Sequence, residues 1–353
     1  MLDSDSSRSQ WPASHLPGQT VDRLLYASLC CVDGPVFEEM HRIRDHALQR
    51  NAADEVYVAL LYQAGWFMEW MEGPTAGIQA LMRRVARDPR HRDLRLLHLS
   101  RGQRRLTQPW SMAYTQEHEK TDDFARRAIA LREKRRQQPS DPASVWRRLS
   151  MPLNKAGAAD SVENDCFQRV MVCSARGTES FDLVHWLGQV HQCTVRSHRF
   201  AGAQAHARDI ATDYVDLEGS TGEVVRRVVA MARNGLHIGL TQAFLPDYSH
   251  LIVLLSGESK RDADLINMLV SSCWRLAHRP VLVGVAPPGC SHAGLREVAR
   301  EGGLVYLDCD LSSRVDTPAL WAVTVPALDF SLGAHPGGSP CHPQQASTPM
   351  PNK

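Results

Sequence analysis

Glu69 sits inside the apolar run WFMEWMEGP, residues 66–74, and its carboxylate is the group hardest to place there. A carboxylate on a buried strand needs a partner or a route to water. Arg101 and Arg104, on the strand expected beside it, are the candidate partners. Tyr26 lies in a second apolar run, LLYAS, as a core tyrosine or a site phenol. Asn51 follows Arg50 at a helix end, where it would cap the helix or present its amide. Trp110 and Met112 share a short strand and fill either a core or a site. Asp213, Asp216, Asp308 and Asp310 fall at expected strand ends and are read as turn formers rather than chemical groups.

Other chemistries find little support. The nine cysteines, an odd count, include no CxxC, which argues against a disulfide framework or a zinc site. Three of the 16 histidines, His185, His191 and His198, span a helix, a turn and a strand without metal-site spacing. The formal net charge of +1 creates no basic field for nucleic acid or membrane surfaces. No window approaches the ~18 apolar residues of a spanning helix. Residues 1–20 carry no secretory pattern and read as a disordered leader. The expected address is the cytoplasm of a bacterium.

The elements that must position these residues follow from periodicity. In the 353-residue chain, Arg23 to Leu29 reads as a strand and Pro35 to Arg50 as a helix with Phe37, Met40, Ile43 and Ala47 on one stripe. Strands follow at 56–62 and 66–71, a helix after Pro74, and strands at 94–99 and 109–115. This is a mixed sheet with two helices in a ferredoxin-like order, over residues 21–116. Residues 117–136 read as a cap helix ending in the basic run REKRR, and 137–165 as a Pro/Ala/Ser linker with one docking turn around Trp146. Residues 166–332 alternate strands and helices, among them RVMVCSA, TVRSHRF, LHIGL, LIVLLSG, PVLVGVA and GLVYLDC as strands. That pattern predicts a mostly parallel, doubly wound α/β domain. The proline-rich stretch 333–353 reads as a disordered tail.

The blocks LLYAS, RNAADEVYVALLY, WFMEWMEGP, RDPRHRDLRLL and PWSMAY together resemble a BLUF domain, the flavin-binding blue-light sensor module. The resemblance implies an FAD isoalloxazine ring between the two helices. It assigns Tyr26 to the light-oxidised tyrosine, Asn51 to the residue holding the ring edge, and Trp110 and Met112 to the strand that reports to the output. Glu69 stands where the family has glutamine, and Val56-Tyr57-Val58 where it has Ile-Thr-Gly. A glutamine amide donates and accepts; a carboxylate only accepts, unless burial raises its pKa and protonates it.

The second domain is similar to a degenerate bacterial small GTPase. RVMVCSARGTESFDLVHWL has the length of a strand, phosphate loop and helix, but Ser180 stands at the lysine position and Phe181 at the hydroxyl position. The magnesium-and-switch motif is missing at Leu240 to Phe244, and Val285-Ala286-Pro287-Pro288 replaces the guanine-reading motif. No nucleotide hydrolysis, and no other enzyme activity, is expected. The expected function is a blue-light-responsive, FAD-binding regulator that signals to a protein partner through a non-hydrolysing GTPase-like domain, with a homodimer suggested by the resemblance. The alternative is a flavin-free interaction scaffold built on the same two folds.

Overall fold

The computed structural model describes residues 20–115, 119–135, 141–153, 167–202, 210–219, 224–274, 276, 278–312 and 316–330. The leader, the tail and most of the expected linker lie outside these residues.

The first module runs β1 (Thr20–Cys30), α1 (Val36–Ala53), β2 (Tyr57–Gln63), β3 (Trp66–Gly73), α2 (Thr75–Val85), β4 (His91–Gln103) and β5 (Trp110–Thr115). Its strands lie side by side in the order β5-β2-β3-β1-β4. The β2–β3 hairpin turns through Ala64 at φ 52° and Gly65 at φ 80°. Two consecutive positive φ values match the right-handed twist of the strands and favour glycine. Gly77 in α2 faces the carbonyl of Asp54, so any side chain there would push α2 away from the end of α1.

Strand β3 explains why the module is covered on both sides. Successive side chains point to opposite faces, and all eight residues are buried. Phe67 and Met71 pack with Met40, Ile78 and Leu81 under α1 and α2. Trp66, Met68 and Trp70 face the other way, into a core with α3 (Thr121–Arg135) and α4 (Pro142–Ser150). Trp66 stacks on Phe124 with ring centres 5.8 Å apart, and Trp70 lies 6.3 Å from Trp146.

Helix α4 corrects the linker expectation for its central part. Asp141 caps it, accepting from the Ala143 N–H, and Pro142 sits in its first turn. There a proline's missing donor costs nothing. The prolines that resembled linker composition therefore start a helix, and Val145, Trp146 and Leu149 are its buried stripe.

The second unit runs β6 (Gln168–Ser174), α5 (Glu179–Val190), β7 (Arg196–Gly202), β8 (Ile210–Glu218), β9 (Val224–Met231), α6 (Gly239–Phe244), β10 (His250–Leu254), α7 (Ser259–Cys273), β11 (Val281–Ala286), α8 (Ala293–Glu301), β12 (Tyr306–Asp310) and α9 (Thr317–Phe330). Strands β12, β11, β10, β6 and β9 are mutually parallel; β8 and β7 are antiparallel additions. The expected strand LHIGL is instead a 3-10 turn, Arg233–His237, leading into α6. Leu240, Ala243 and Phe244 recur at helical spacing and join the core behind Trp70.

The expected division into two separate sheets is replaced by one. Strand β7 pairs antiparallel with β5, with Met112 opposite Ala201 and Ala113 opposite Phe200, so twelve strands form a continuous sheet. The loop before β5 secures the joint. The Gln108 side chain donates to the His237 carbonyl, Thr107 Oγ1 reaches Gln242 Oε1 at 2.5 Å, and Leu240 N donates to Ser111 Oγ at 3.1 Å. The Glu72 carboxylate, buried beneath that loop, accepts from the amides of Arg105 and Leu106 and from Trp70 Nε1.

The four aspartates are not turn formers. Asp216 forms a buried ion pair with Arg227 at 2.6 Å, Asp213 binds His185, Asp308 binds Arg296 and Asp310 binds His292. Asp213, Asp216 and Asp308 lie within strands and Asp310 ends one; Asp213 and Asp216, the buried pair, are the ones whose carboxylates need a partner.

Candidate functional site

The face of the first module beneath α1 and α2 carries the polar groups that a core would exclude. Tyr26 on β1 lies directly opposite Glu69 on β3, and cross-strand neighbours in an antiparallel pair share a face. The Tyr26 hydroxyl donates a short hydrogen bond to Glu69 Oε2, and both residues are buried. Burial pushes the Glu69 carboxyl up to about 7; the Tyr26 bond and the Arg84 charge oppose that rise. The Tyr26 phenol is raised well above its ordinary value by burial and by the adjacent carboxylate. Near neutral pH, then, Glu69 exists both as an acceptor of the phenol proton and as a neutral acid with one O–H to donate.

The expected partners of Glu69 do not reach it. Arg101 pairs with Asp22 at the start of β1, and Arg104 binds the carbonyls of Glu72 and Glu55. Arg101 lies opposite Asp22 in the β1–β4 pairing, four residues along β1 from Tyr26, and Arg104 follows the end of β4.

Helix α1 faces this pair with Met40, Arg44 and Asn51 as its buried residues. Asn51 lies in the last turn of α1, whose cap is Asp54, so the capping alternative is corrected. Its Oδ1 lies 3.5 Å from Arg84 Nη2, while its buried Nδ2 has no partner. Arg84 reaches from α2 to Asp54, the cap of α1, with both Nη atoms 3.0 Å from Oδ2. Trp110 and Met112, on β5, are buried in the same cluster as Tyr26, and Trp110 Nε1 is also unpartnered. All five residues singled out in the sequence therefore lie on the side of the sheet under α1 and α2.

Arg44, Arg84 and His91 were not anticipated. Arg44 is 4% exposed, binds Asp45 through Nε, and keeps a buried Nη1 without a partner. Its position seven residues before Asn51, two turns along one helix face, is the signal that was available. His91 shares a 2.7 Å bond with Ser28 Oγ, and burial lowers its pKa, so it is neutral at pH 7. Arg90 clamps Asp88 and Glu39, tying the α2–β4 loop to α1 and holding both carboxyls below their usual range.

Residues 21–113 match the model of the BLUF family, described as sensors of blue-light using FAD. Solved structures show partial likenesses to the chain. A bacterial light-regulated adenylyl cyclase is 28% identical over 23% of this chain and 23% of its own, with a TM-score of 0.22. The BLUF protein BlrB in its dark state is 25% identical over 28% of this chain and 74% of its own, with a TM-score of 0.26. BlsA in its photo-activated state is 22% identical over 32% of this chain and 81% of its own, with a TM-score of 0.26. The chain thus spans under a quarter of the cyclase. A comparison with curated proteins gives no match.

The residues present fit the family's cofactor. Asn51 Nδ2, Arg44 Nη1 and Trp110 Nε1 are unpartnered buried donors on one side of the module, and isoalloxazine presents carbonyl and ring-nitrogen acceptors. Neutral Glu69 adds one more donor. No helix of the described residues is long and apolar enough to cross a membrane, and no group of three metal-ligating side chains occurs among them.

Proposed function

We propose that this protein is a blue-light-responsive regulator that binds FAD under α1 and α2 and signals by protein contact through its second unit. The observation that carries this is the buried Tyr26–Glu69 hydrogen bond, set among unpartnered donors in the domain that matches the BLUF model. Asn51 and Arg84 hold the ring edge, and Glu69 connects the ring to Tyr26. FAD supplies a blue-light-absorbing electron acceptor. The chain's own part is to keep water out, orient the Tyr26 hydroxyl and receive its proton on Glu69. Ionised, Glu69 takes that proton; neutral, it donates toward the ring.

The route to the second unit follows one transverse row of the sheet. Tyr26 faces Glu69, Glu69 faces Leu60, Leu60 faces Met112 and Met112 faces Ala201. Ala201 packs in the same cluster as Tyr26. A rearrangement at Glu69 therefore meets the second unit across three strand contacts and no flexible linker.

The second unit acts as a surface rather than an enzyme. Its strand order β8-β9-β6-β10-β11-β12, with β8 antiparallel, supports the small-GTPase likeness. The loop after β6 argues against phosphate binding. Ser174 Oγ accepts the Ser180 N–H, and the Glu179 carboxylate folds over Gly177 where an anion would lie. Purified full-length protein that is yellow, and whose flavin absorption shifts to the red under blue light, supports the sensor. Protein that stays colourless after reconstitution with FAD leaves the second reading, a flavin-free scaffold, which the acidic side chain at the glutamine position favours.

A further inference from the structure

A line of aromatic rings leaves Tyr26 and ends at the half-exposed edge of the module. Tyr26 stands 6.2 Å from His91, His91 5.2 Å from Phe67, Phe67 5.9 Å from Tyr62, and Tyr62 5.9 Å from Tyr114. These are ring-centre separations of directly packed neighbours. The last two rings are nearly parallel, at 9°. Phe37 closes the far side against Tyr114 at 5.9 Å. Tyr26 is fully buried, whereas Tyr62 and Tyr114 are only partly buried.

We propose that Tyr62 and Tyr114 form a second redox-active site, exchanging an electron hole with Tyr26 across His91 and Phe67. The proposal deepens the light-sensor reading and rests on it for its physiological oxidant, but the relay itself is a property of the apoprotein. Among these rings only the phenols give up an electron readily; neutral imidazole and phenyl serve as bridges.

The chemistry balances. A one-electron oxidant, excited flavin in the light, removes an electron from Tyr26. The Tyr26 O–H bond breaks and its proton passes along the existing hydrogen bond to Glu69 Oε2. An electron from Tyr62 or Tyr114 then refills Tyr26, and Glu69 returns the proton. The phenolic proton of the outer tyrosine leaves to water. Tyr26 and Glu69 are restored, and one electron and one proton have left the outer pair. A thiol or ascorbate in solution resets that pair. The consequence is a flavin that can be photoreduced by external reductants instead of recombining with Tyr26.

The test needs no flavin. The full chain is flash-oxidised with ruthenium tris-bipyridyl and a hexaammineruthenium(III) quencher, then frozen for electron paramagnetic resonance. A tyrosyl signal that disappears in Tyr26→Phe belongs to the buried residue. We expect it in the wild type and expect its loss in the Tyr62→Phe/Tyr114→Phe double variant, whose circular dichroism and unfolding midpoint report that the fold is kept. Phe67→Leu, which spares every tyrosine, should slow its appearance. An undiminished Tyr26 signal in the double variant overturns the relay. So does oxidation confined to the outer pair, or no protein radical at all. A colourless protein, by contrast, would remove the sensor reading and leave this result standing.

Discussion

Met112 on β5 and Ala201 on β7 are partners across the only strand pairing that joins the two described units. Ala201 is 1% exposed and belongs to the same packed cluster as Tyr26. A larger side chain there has no free space to enter. Ala201→Phe should destabilise the protein by about 1–3 kcal/mol through overpacking. It should also weaken FAD binding, although residue 201 belongs to the second unit. Chemical denaturation and flavin-fluorescence titration measure the two effects. Unchanged FAD affinity in a destabilised variant would separate the cofactor site from the joint.

Glu69 makes stability depend on pH in an unusual direction. Its folded-state pKa, about 7, lies above its ordinary 4.5, so the folded protein binds the proton more tightly. Stability from this group is complete below pH 4.5, falls as pH rises toward 7, and is level above. The drop is up to about 3 kcal/mol at 1.36 kcal/mol per unit. Glu39 and Asp88, whose pKa values are lowered, act with the opposite sign at more acidic pH. Glu69→Gln should therefore flatten the profile between pH 5 and 8 and be more stable than wild type at pH 8. Parallel wild-type and variant profiles in urea titrations would contradict it. The amide also restores a simultaneous donor and acceptor, so the photoresponse should strengthen; an unchanged photocycle would count against Glu69 bridging Tyr26 and the ring.

What the sequence revealed and what it hid divide by range. The Tyr26 and Glu69 strands, the α1 stripe and the turn at Gly65 are local patterns, and each was readable. That Arg101 and Arg104 would bind elsewhere, to Asp22 and to the carbonyls of Glu72 and Glu55, was not, because those partners are set by tertiary packing. The union of β5 with β7 was hidden for a different reason. TVRSHRF reads as a strand, but its partner lies far back in the chain and is chosen by packing, not by propensity. Asp141-Pro142 had a helix-start signal that was outweighed by the linker composition around it. The Asn51 amide shows the limit of motif reading: its position was given by resemblance, while its unpartnered Nδ2 required coordinates.

Trp146 tests the hidden part of the fold. It is fully buried on α4, 6.3 Å from Trp70, in the core that also holds Phe244 of the second unit. Trp146→Ala should cost about 3–5 kcal/mol, the range for removing a large aromatic from a core. Because both units share this core, the two should lose stability together. Urea denaturation followed by near-ultraviolet circular dichroism would show one earlier transition. A second unit that unfolds at its wild-type midpoint would mean that the shared core contributes little to cooperativity.

Asn51 bears on whether the first module still holds its cofactor. Its Nδ2 is buried without a partner, a state that normally costs about 1–3 kcal/mol. An acceptor on a bound ring would remove that cost. Asn51→Ala should therefore leave the apoprotein as stable or slightly more stable, and weaken FAD binding by about tenfold or more, the equivalent of one buried hydrogen bond. The two readouts move in opposite directions, which a purely structural asparagine would not produce. Such an asparagine, truncated, would destabilise the apoprotein and leave the affinity for FAD as it was. Unfolding of the flavin-free chain and fluorescence titration with FAD, measured on the same preparation, distinguish the two cases.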